Sequence, residues 1–330
     1  MWGAELVPNV VSFSAAISAC GKGREWQQAL SLFSELRETA LEPNIICYSA
    51  AISACEKGEQ WQSALAMLSE LQDEQLRPNV ISYGAGVSAC KEGGQWQRAL
   101  SLLRDLWMAK LEMDVVILSA AVGACDKGGQ WQWAISLLRQ LQTSTLEQTV
   151  ITYNSGVSAC KEGGQWARAL WLLREIRTAR LEPDAISYNS GIGACKAEGL
   201  WQHALLLLGD MREARVEPDL VSYNSAVSSC EFCGHWRQAL SLMRESSEAS
   251  LQPDIISYSA VISACDKASE WEAALSLLGE MWEAKVQPSI VSYSAAISAC
   301  EKGKQWQQSL SLLRGLWKAR LKPNSATTVQ

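Results

Sequence analysis

The chain has 330 residues, of which 48% are hydrophobic, and its formal net charge at pH 7 is −6. The apolar content is ample for a continuous core, and no apolar run approaches the length of a membrane span. The acidic balance gives no global basic signal for nucleic acid, although net charge does not exclude a local basic stripe.

Sequence features recur every 35 residues. The repeating tryptophans are Trp26, Trp61, Trp96, Trp131, Trp166, Trp201, Trp236, Trp271 and Trp306. The repeating cysteines are Cys20, Cys55, Cys90, Cys125, Cys160, Cys195, Cys230, Cys265 and Cys300. A proline also recurs at this spacing, and Met113 and Gln148 occupy the two positions of that series that have no proline. A fixed period of this length is the signature of a solenoid.

We therefore expect a single array over 1–330 with nine full repeats. Their predicted bounds are 10–44, 45–79, 80–114, 115–149, 150–184, 185–219, 220–254, 255–289 and 290–324. Residues 1–9 resemble the tail of a preceding repeat, and 325–330 the start of a further one. Because solenoids need polar capping repeats and neither end resembles one, we expect a fragment of a longer array.

Each repeat predicts a helical hairpin. In the repeat 10–44, apolar residues at helical spacing predict a first helix over 13–20 and a second over 26–36. Gly23 is expected to permit the turn between them, and Pro43 to separate the unit from the next. The tryptophans are interpreted as core residues, and the cysteines as small buried hydrophobes in a reducing compartment.

Few residues favour catalysis. His203 and His235 occupy different repeat positions, and Cys230 and Cys233 form a lone Cys-x-x-Cys without the second pair that a zinc site needs. The glycine pairs lie at predicted helix ends and not in a phosphate-binding loop. We expect no enzyme activity, no cofactor, no metal and no small-molecule substrate.

Two segments carry a family resemblance. Residues 183–190 (Pro-Asp-Ala-Ile-Ser-Tyr-Asn-Ser) and 271–281 (Trp-Glu-Ala-Ala-Leu-Ser-Leu-Leu-Gly-Glu-Met) closely resemble the pentatricopeptide repeat family. The strict 35-residue length separates the chain from the 34-residue tetratricopeptide family. The resemblance implies an all-α fold, a right-handed superhelical α-solenoid of helix-turn-helix repeats. It also implies binding of single-stranded RNA, one base per repeat, by a monomeric protein without membrane contact.

In that family the fifth and the last residue of each repeat read the base. The fifth residues here are Ser14, Ser49, Gly84, Ser119, Asn154, Asn189, Asn224, Ser259 and Ser294. The matching last residues are Asn44, Asn79, Asp114, Thr149, Asp184, Asp219, Asp254, Ser289 and Asn324. The alternative is that the last residue merely caps the next helix and the fifth is an ordinary solvated residue.

An Asp carboxylate only accepts hydrogen bonds, which suits the N–H of uracil or guanine, whereas an Asn amide suits adenine or cytosine. In the family, Asn at the fifth position goes with pyrimidines, and Ser or Thr with purines. The pairs therefore predict a target near A-A-N-N-U-U-U-A-A, 5′ to 3′ from the N-terminus.

A lysine near the end of the first helix recurs in eight repeats. The lysines are Lys22, Lys57, Lys91, Lys127, Lys161, Lys196, Lys267 and Lys302. They are candidate phosphate contacts, and the alternative is that they complement the helix dipole. Acidic neighbours, among them Glu56 and Glu162, weaken such a ladder. The aliphatic residue after each joint, such as Val11, is expected either to flank a base or to lie in the core.

The family resemblance places the protein in a chloroplast or mitochondrion, in RNA processing, stability or translation. No transit peptide is recognisable in the sequence. The main alternative is a protein-binding helical scaffold, which the acidic balance favours. A nuclease or deaminase would require domains outside this chain.

Overall fold

The structure is a computed structural model that describes residues 8–39, 41–143, 148–196 and 198–318. The described residues form helices and no strand. The helices are α1 (Val10–Lys22), α2 (Trp26–Glu38), α3 (Ile45–Lys57), α4 (Trp61–Asp73), α5 (Val80–Glu92), α6 (Trp96–Met108), α7 (Val115–Lys127), α8 (Trp131–Thr143), α9 (Val150–Glu162), α10 (Trp166–Thr178), α11 (Ala185–Lys196), α12 (Trp201–Glu213), α13 (Leu220–Phe232), α14 (Trp236–Glu248), α15 (Ile255–Lys267), α16 (Trp271–Glu283), α17 (Ile290–Lys302) and α18 (Trp306–Lys318).

The contacts divide the chain into two compact units, Met1–Gly163 and Gly164–Gln330. Within the first unit the odd-numbered helices α1 to α9 stack one on the next, and within the second α11 to α17 do the same. Each even-numbered helix between two of them packs on both, as α4 does on α3 and α5. The predicted all-α fold of stacked helical hairpins is confirmed within each unit. We call the odd-numbered helix of a hairpin its first helix and the even-numbered one its second.

Each first helix begins at a polar N-cap. Eight first helices have the N-cap residues Asn9, Asn44, Asn79, Asp114, Thr149, Asp219, Asp254 and Ser289. Each has extended backbone, and its side-chain oxygen accepts a hydrogen bond from a backbone N–H of the first helical turn. Asp184 accepts the same bond from the Ser187 backbone N–H at 2.9 Å.

The turn between the two helices depends on a left-handed residue, which is not the one predicted. Gly23 has φ −79°, and the next residue, Arg24, has φ 61°. The corresponding residues with positive φ are Glu59, Gly94, Gly129, Gly164, Gly199, Gly234, Ser269 and Lys304. The expectation that Gly23 permits the turn by its own backbone freedom is therefore wrong, because the turn lies one residue later.

The glycine before that left-handed residue has a packing role instead. A Cβ on Gly58 would lie 2.4 Å from Trp26 Cδ1, and one on Gly93 would lie 2.3 Å from Trp61 Cδ1. The indole of one hairpin therefore packs against the glycine Cα that comes directly after the first helix of the next hairpin. These indoles are half-buried, and Trp306 is 66% exposed. The prediction that the tryptophans are core residues is thus only partly right, since the half-buried indoles pack between one hairpin and the next.

Three hairpins of the second unit lack this glycine, and there the indole has another partner. The residues in its place are Glu198, Cys233 and Ala268. The Trp166 ring centroid lies 5.6 Å from that of His203, and Trp201 lies 4.8 Å from His235. The guanidinium carbon of Arg237 lies over the Trp236 ring, 5.1 Å from the ring centroid. Both histidines of the chain are therefore packing partners of indoles.

The repeating cysteines behave as predicted from their apolar stripe. Eight of the nine are buried, Cys20 is half-buried, and every cysteine is a free thiol. Burial raises the pKa of Cys55 to about 11 and that of Cys125 to about 12, with a smaller contribution from Asp126. Such thiols stay protonated at neutral pH and are unreactive.

The substitution Gly58→Ala tests the indole joint. Because the added methyl group overlaps Trp26, we expect the free energy of unfolding in urea to fall by about 1–3 kcal/mol. In a Trp26→Ala background the same substitution should cost far less. The control is Gly279→Ala in α16, where an added Cβ meets nothing within 4 Å and helix propensity should add about 1 kcal/mol of stability. Equal effects of Gly58→Ala in both backgrounds would contradict the packing role.

Candidate functional site

An aliphatic residue stands exposed at the second position of every first helix. The residues are Val11, Ile46, Ile81, Val116, Ile151, Ile186, Val221, Ile256 and Val291, and their exposed fractions lie between 56% and 72%. Branched aliphatic side chains at such exposure do not contribute to the core, so the core alternative is wrong for this position. We call the surface of each unit that carries these residues its first-helix face.

The fifth and last residues meet directly in three repeats of the second unit. Asn189 Nδ2 donates to Asp219 Oδ1 at 3.1 Å, and Asn224 Nδ2 donates to Asp254 Oδ1 at 3.2 Å. In the next repeat the Ser259 and Ser289 hydroxyls lie 3.5 Å apart. The structure thus brings together residues that are 30 apart in sequence.

A hydroxyl at the third position of the following repeat, which the sequence analysis missed, completes each contact. Ser222 Oγ donates to Asn189 Oδ1 at 2.5 Å and lies 2.9 Å from Asp219 Oδ1. Ser257 makes the same two contacts with Asn224 and Asp254. These serines are almost completely buried. The available signal was a serine three residues after an Asp or Asn, which is the spacing of a capping box.

In the first unit the contact between the fifth and the last residue of a repeat is indirect or absent. Ser49 and Ser119 do not hydrogen-bond to the last residues of their own repeats within the described part of this unit. They instead contact the next third-position hydroxyls, Ser82 at 2.8 Å and Thr152 at 2.6 Å. Ser14 cannot form that bridge, because Cys47 occupies the third position of the next repeat, and its hydroxyl bonds to its own helix.

Two further predicted residues differ in accessibility. Ser49 and Asn154 each expose only 7% of their surface, whereas Asn189 and Asn224 are half-buried. Asn154 and Asp184, paired by sequence, fall in different units. Asn324 lies outside the described residues, so only Ser294 of that pair is placed, with its hydroxyl bonded to the Ile290 carbonyl at 2.7 Å.

The carboxylates of the complete pairs are held in the charged form. Burial raises the pKa of Asp219, but hydrogen bonds from Ser222 and Asn189 outweigh it and leave the pKa below its usual value. The pKa of Asp254 is lowered by the same balance, with Ser257 and Asn224 as donors. Both side chains are therefore acceptors only at neutral pH.

The hydrogen bonds within a pair determine which donor and acceptor groups remain for a ligand. An amide nitrogen carries two hydrogens and a carboxylate several lone pairs. Asn189 uses one hydrogen on Asp219, whose Oδ1 also accepts from Ser222. Within the described residues no other hydrogen bond engages the second amide hydrogen or Asp219 Oδ2, which Asn189 approaches only at 3.4 Å. Each complete pair therefore offers one donor beside one acceptor.

A cleft of about 290 Å³ opens on the first-helix face among α1, α3 and α5. Its lining includes Ser14, Ser49, Ile46 and Ile81. Predicted base-reading residues and exposed aliphatic residues thus form the walls of one cleft, together with the lysines at the ends of α1 and α3.

Most of the other lysines have partners. Within 4 Å of a carboxylate lie Lys91, Lys127, Lys161 and Lys302. Lys127 Nζ also reaches the Glu92 carbonyl at the end of the preceding first helix, at 3.3 Å. Lys302 contacts the Asp266 carbonyl at 3.0 Å. The Lys127 and Lys302 contacts agree with the helix-dipole alternative, except that these two lysines lie at the end of the preceding repeat's helix and not of their own.

Among the described residues, no group of three or more His, Cys, Asp or Glu side chains is placed to hold a metal ion. No helix in the same ranges is long and apolar enough to cross a membrane.

Comparison with protein families identifies the fold. A pentatricopeptide repeat domain model matches residues 136–198, 171–231 and 241–302, a PPR repeat family model matches 8–57, and a PPR repeat model matches 46–76 and 221–250. Together they cover 8–76 and 136–302, which is more than half of the chain. The chain belongs to the pentatricopeptide repeat family. No curated protein matches it.

Solved structures of the same family share the fold. PPR10 from maize matches with a TM-score of 0.50 and 18% identity over 98% of this chain and 55% of PPR10. PPR10 in complex with an 18-nt psaJ RNA element matches with a TM-score of 0.51 and 16% identity over 96% of this chain. The chain spans only 56% of that protein's length.

The acidic residues at the ends of the first helices give a pH test. Burial raises the pKa of Glu231, against the opposing effects of Lys267, Lys196 and a hydrogen bond from Ser263. The folded state therefore binds the proton more tightly than the unfolded chain, and stability falls as the pH rises above the ordinary value of 4.5.

Because Gln stays neutral, we expect Glu231→Gln to raise the free energy of unfolding at pH 7 and to flatten its decline between pH 4 and pH 7. Urea unfolding at several pH values measures both. The matched control is Glu301→Gln, at the same repeat position but exposed, which should leave the free energy of unfolding at pH 7 unchanged. A loss of stability at pH 7 in Glu231→Gln would contradict the assignment.

Proposed function

We propose that this protein binds single-stranded RNA along its first-helix face, with one base per repeat. The observation that supports this most strongly is the pair geometry of Asn189 with Asp219 and of Asn224 with Asp254. Each pair leaves a donor and an acceptor side by side, next to an exposed aliphatic side chain. Binding of RNA by PPR10 is consistent with the proposal.

The exposed aliphatic residues supply the non-polar part of the contact. Val221 and Ile256 recur one repeat apart and flank the pair formed by Asn224 and Asp254 along the chain. A base lying between two such side chains buries its faces against them, which is favourable for every base and carries no sequence information. The polar pair then distinguishes the bases by their edges.

Uracil fits the two complete Asn–Asp pairs. Its N3–H donates to a group that only accepts, as the ionised Asp does, and its O4 accepts from the free amide hydrogen. Cytosine offers an acceptor at N3, which would face the carboxylate without a hydrogen bond. We extend this reasoning to the whole array as a target near A-A-N-N-U-U-U-A-A. Following the family, the activity would serve RNA processing, stability or translation in a chloroplast or mitochondrion.

A protein-binding scaffold is the second candidate, and one observation favours it. An apolar cleft of about 560 Å³ lies between α6 and α8 on the second-helix side and is lined by Trp96, Trp107, Met113 and Trp133. Trp107 is 65% exposed. Exposed apolar clefts of this kind are typical of interaction surfaces.

The substitution Asp219→Asn tests base recognition at one repeat. Asn is as good an N-cap as Asp, so α13 should start unchanged. Its amide can donate to cytosine N3, so we expect the preference at the sixth base to move from uracil towards cytosine by about tenfold. Fluorescence anisotropy with AAGAUUUAA and AAGAUCUAA RNA measures it. Asp114→Asn is the control, because Gly84 offers no side chain to pair with. An unchanged preference in Asp219→Asn would contradict the assignment.

The lysines are tested by salt dependence. Lys22 and Lys57 line the first-helix cleft and have no ion-pair partner among the residues described, whereas Lys127 pairs with Glu92 at 2.7 Å. We expect Lys22→Gln and Lys57→Gln each to reduce the slope of log K against log salt by about 0.7. Lys127→Gln should leave that slope nearly unchanged. The phosphate role fails if all three substitutions behave alike.

A further inference from the structure

A second cleft lies in the second unit, between the second helices α10 and α12, and involves none of the predicted base-reading residues. Its volume is about 340 Å³, which lies in the range of small-ligand sites. Leu170, Leu173, Leu206 and Leu207 line it, together with His203 and Pro183. Its polar lining consists of Arg174, Arg177, Tyr188 and Asp210.

Tyr188 is the unusual member of this lining. Its side chain is 3% exposed, and its hydroxyl is buried without a hydrogen-bond partner. Two equivalent tyrosines have partners at short distance. Tyr223 accepts from Arg212 at 2.9 Å, and Tyr153 accepts from Gln142 at 3.2 Å. Because nearly all buried polar groups are hydrogen-bonded, an unpaired phenol in a cleft wall indicates a missing partner.

The sequence explains why this cleft stays open. Arg212 pairs with Glu245 one repeat later, and Arg37 pairs with Glu70 in the same way. The position equivalent to these glutamates is occupied by Asp210, whose side chain is one methylene shorter. No ion pair forms between Arg177 and Asp210 in the described structure. Among the described residues, Arg177 therefore lacks both the carboxylate and the tyrosine that Arg212 contacts at the equivalent position.

The electrostatics of the cleft select the charge of a ligand. Two guanidinium groups, from Arg174 and Arg177, face one carboxylate, from Asp210, which leaves one net positive charge. Burial is the largest effect on the Tyr188 hydroxyl and raises its pKa, so it remains a neutral donor. Arg177 and Tyr188 together can bind two oxygens of one anion. The leucine walls favour an apolar body and disfavour a heavily hydrated phosphate.

We propose that this cleft binds a small amphipathic monocarboxylate, with its carboxylate on Arg177 and Tyr188 and its aliphatic or aromatic body against the leucines. The site is a ligand site and does not depend on the proposed RNA function. Asp210 opens it because it is too short to occupy Arg177.

Isothermal titration calorimetry with octanoate and with 3-phenylpropionate tests the proposal on the full chain, with octan-1-ol and 3-phenylpropan-1-ol as uncharged controls. We expect the acids to bind and the alcohols to bind at least tenfold more weakly. Tyr188→Phe, which removes only the unpaired hydroxyl, should weaken acid binding about tenfold without lowering the thermal midpoint. Tyr223→Phe is the matched control and should bind the acids as the parent chain does.

A second variant, Asp210→Glu, restores the length of the carboxylates that pair with arginine in other repeats. It should close the cleft and abolish acid binding while the fold is retained. The proposal is overturned if neither acid binds the parent chain, if Tyr188→Phe binds as well as the parent, or if Asp210→Glu retains full binding.

Discussion

The hydrogen bond from the first helical turn to the last residue of the preceding repeat is the constraint on which the rest of the structure depends. It fixes where each first helix begins, and with it the position of the exposed aliphatic residue and of the fifth residue. It also restricts the last residue to side chains that can cap a helix: Asn, Asp, Ser or Thr. The side chain that caps the helix is therefore also the one that we propose contacts the base, and the cap orients the atoms that remain free.

The buried third-position serine connects these two roles between neighbouring repeats. Ser222 bonds to the cap Asp219 and to the fifth residue of the preceding repeat, Asn189. It thereby sets the orientation of the Asn189 amide, because the amide oxygen accepts from Ser222 and the amide nitrogen then faces the Asp219 carboxylate. Where the serine is replaced by Cys47 or Ile117, this connection is missing. The geometry of the proposed recognition pair at one repeat is thus determined by the sequence of the next.

Much of the fold could be predicted from the 35-residue period, because apolar spacing, caps and joint prolines all agree. The helix hairpins and the buried cysteine column follow directly from it. What could not be predicted are contacts between repeats, since a period does not show which residues of neighbours touch. The Trp26 indole on Gly58 and the lysine contacts with preceding helix ends are of this kind. The exposure of Val11 and its equivalents was likewise undecided, because an aliphatic residue at a helix start fits either face.

The measurement that most directly tests the central claim is fluorescence anisotropy of this chain with labelled AAGAUUUAA RNA, against a scrambled RNA and the DNA of the same sequence. The first-helix face, with its polar pairs and aliphatic neighbours, predicts salt-sensitive binding that is tightest for the intended RNA. Equal affinity for all three, or binding to none, would contradict recognition of bases by this face and would favour a protein partner.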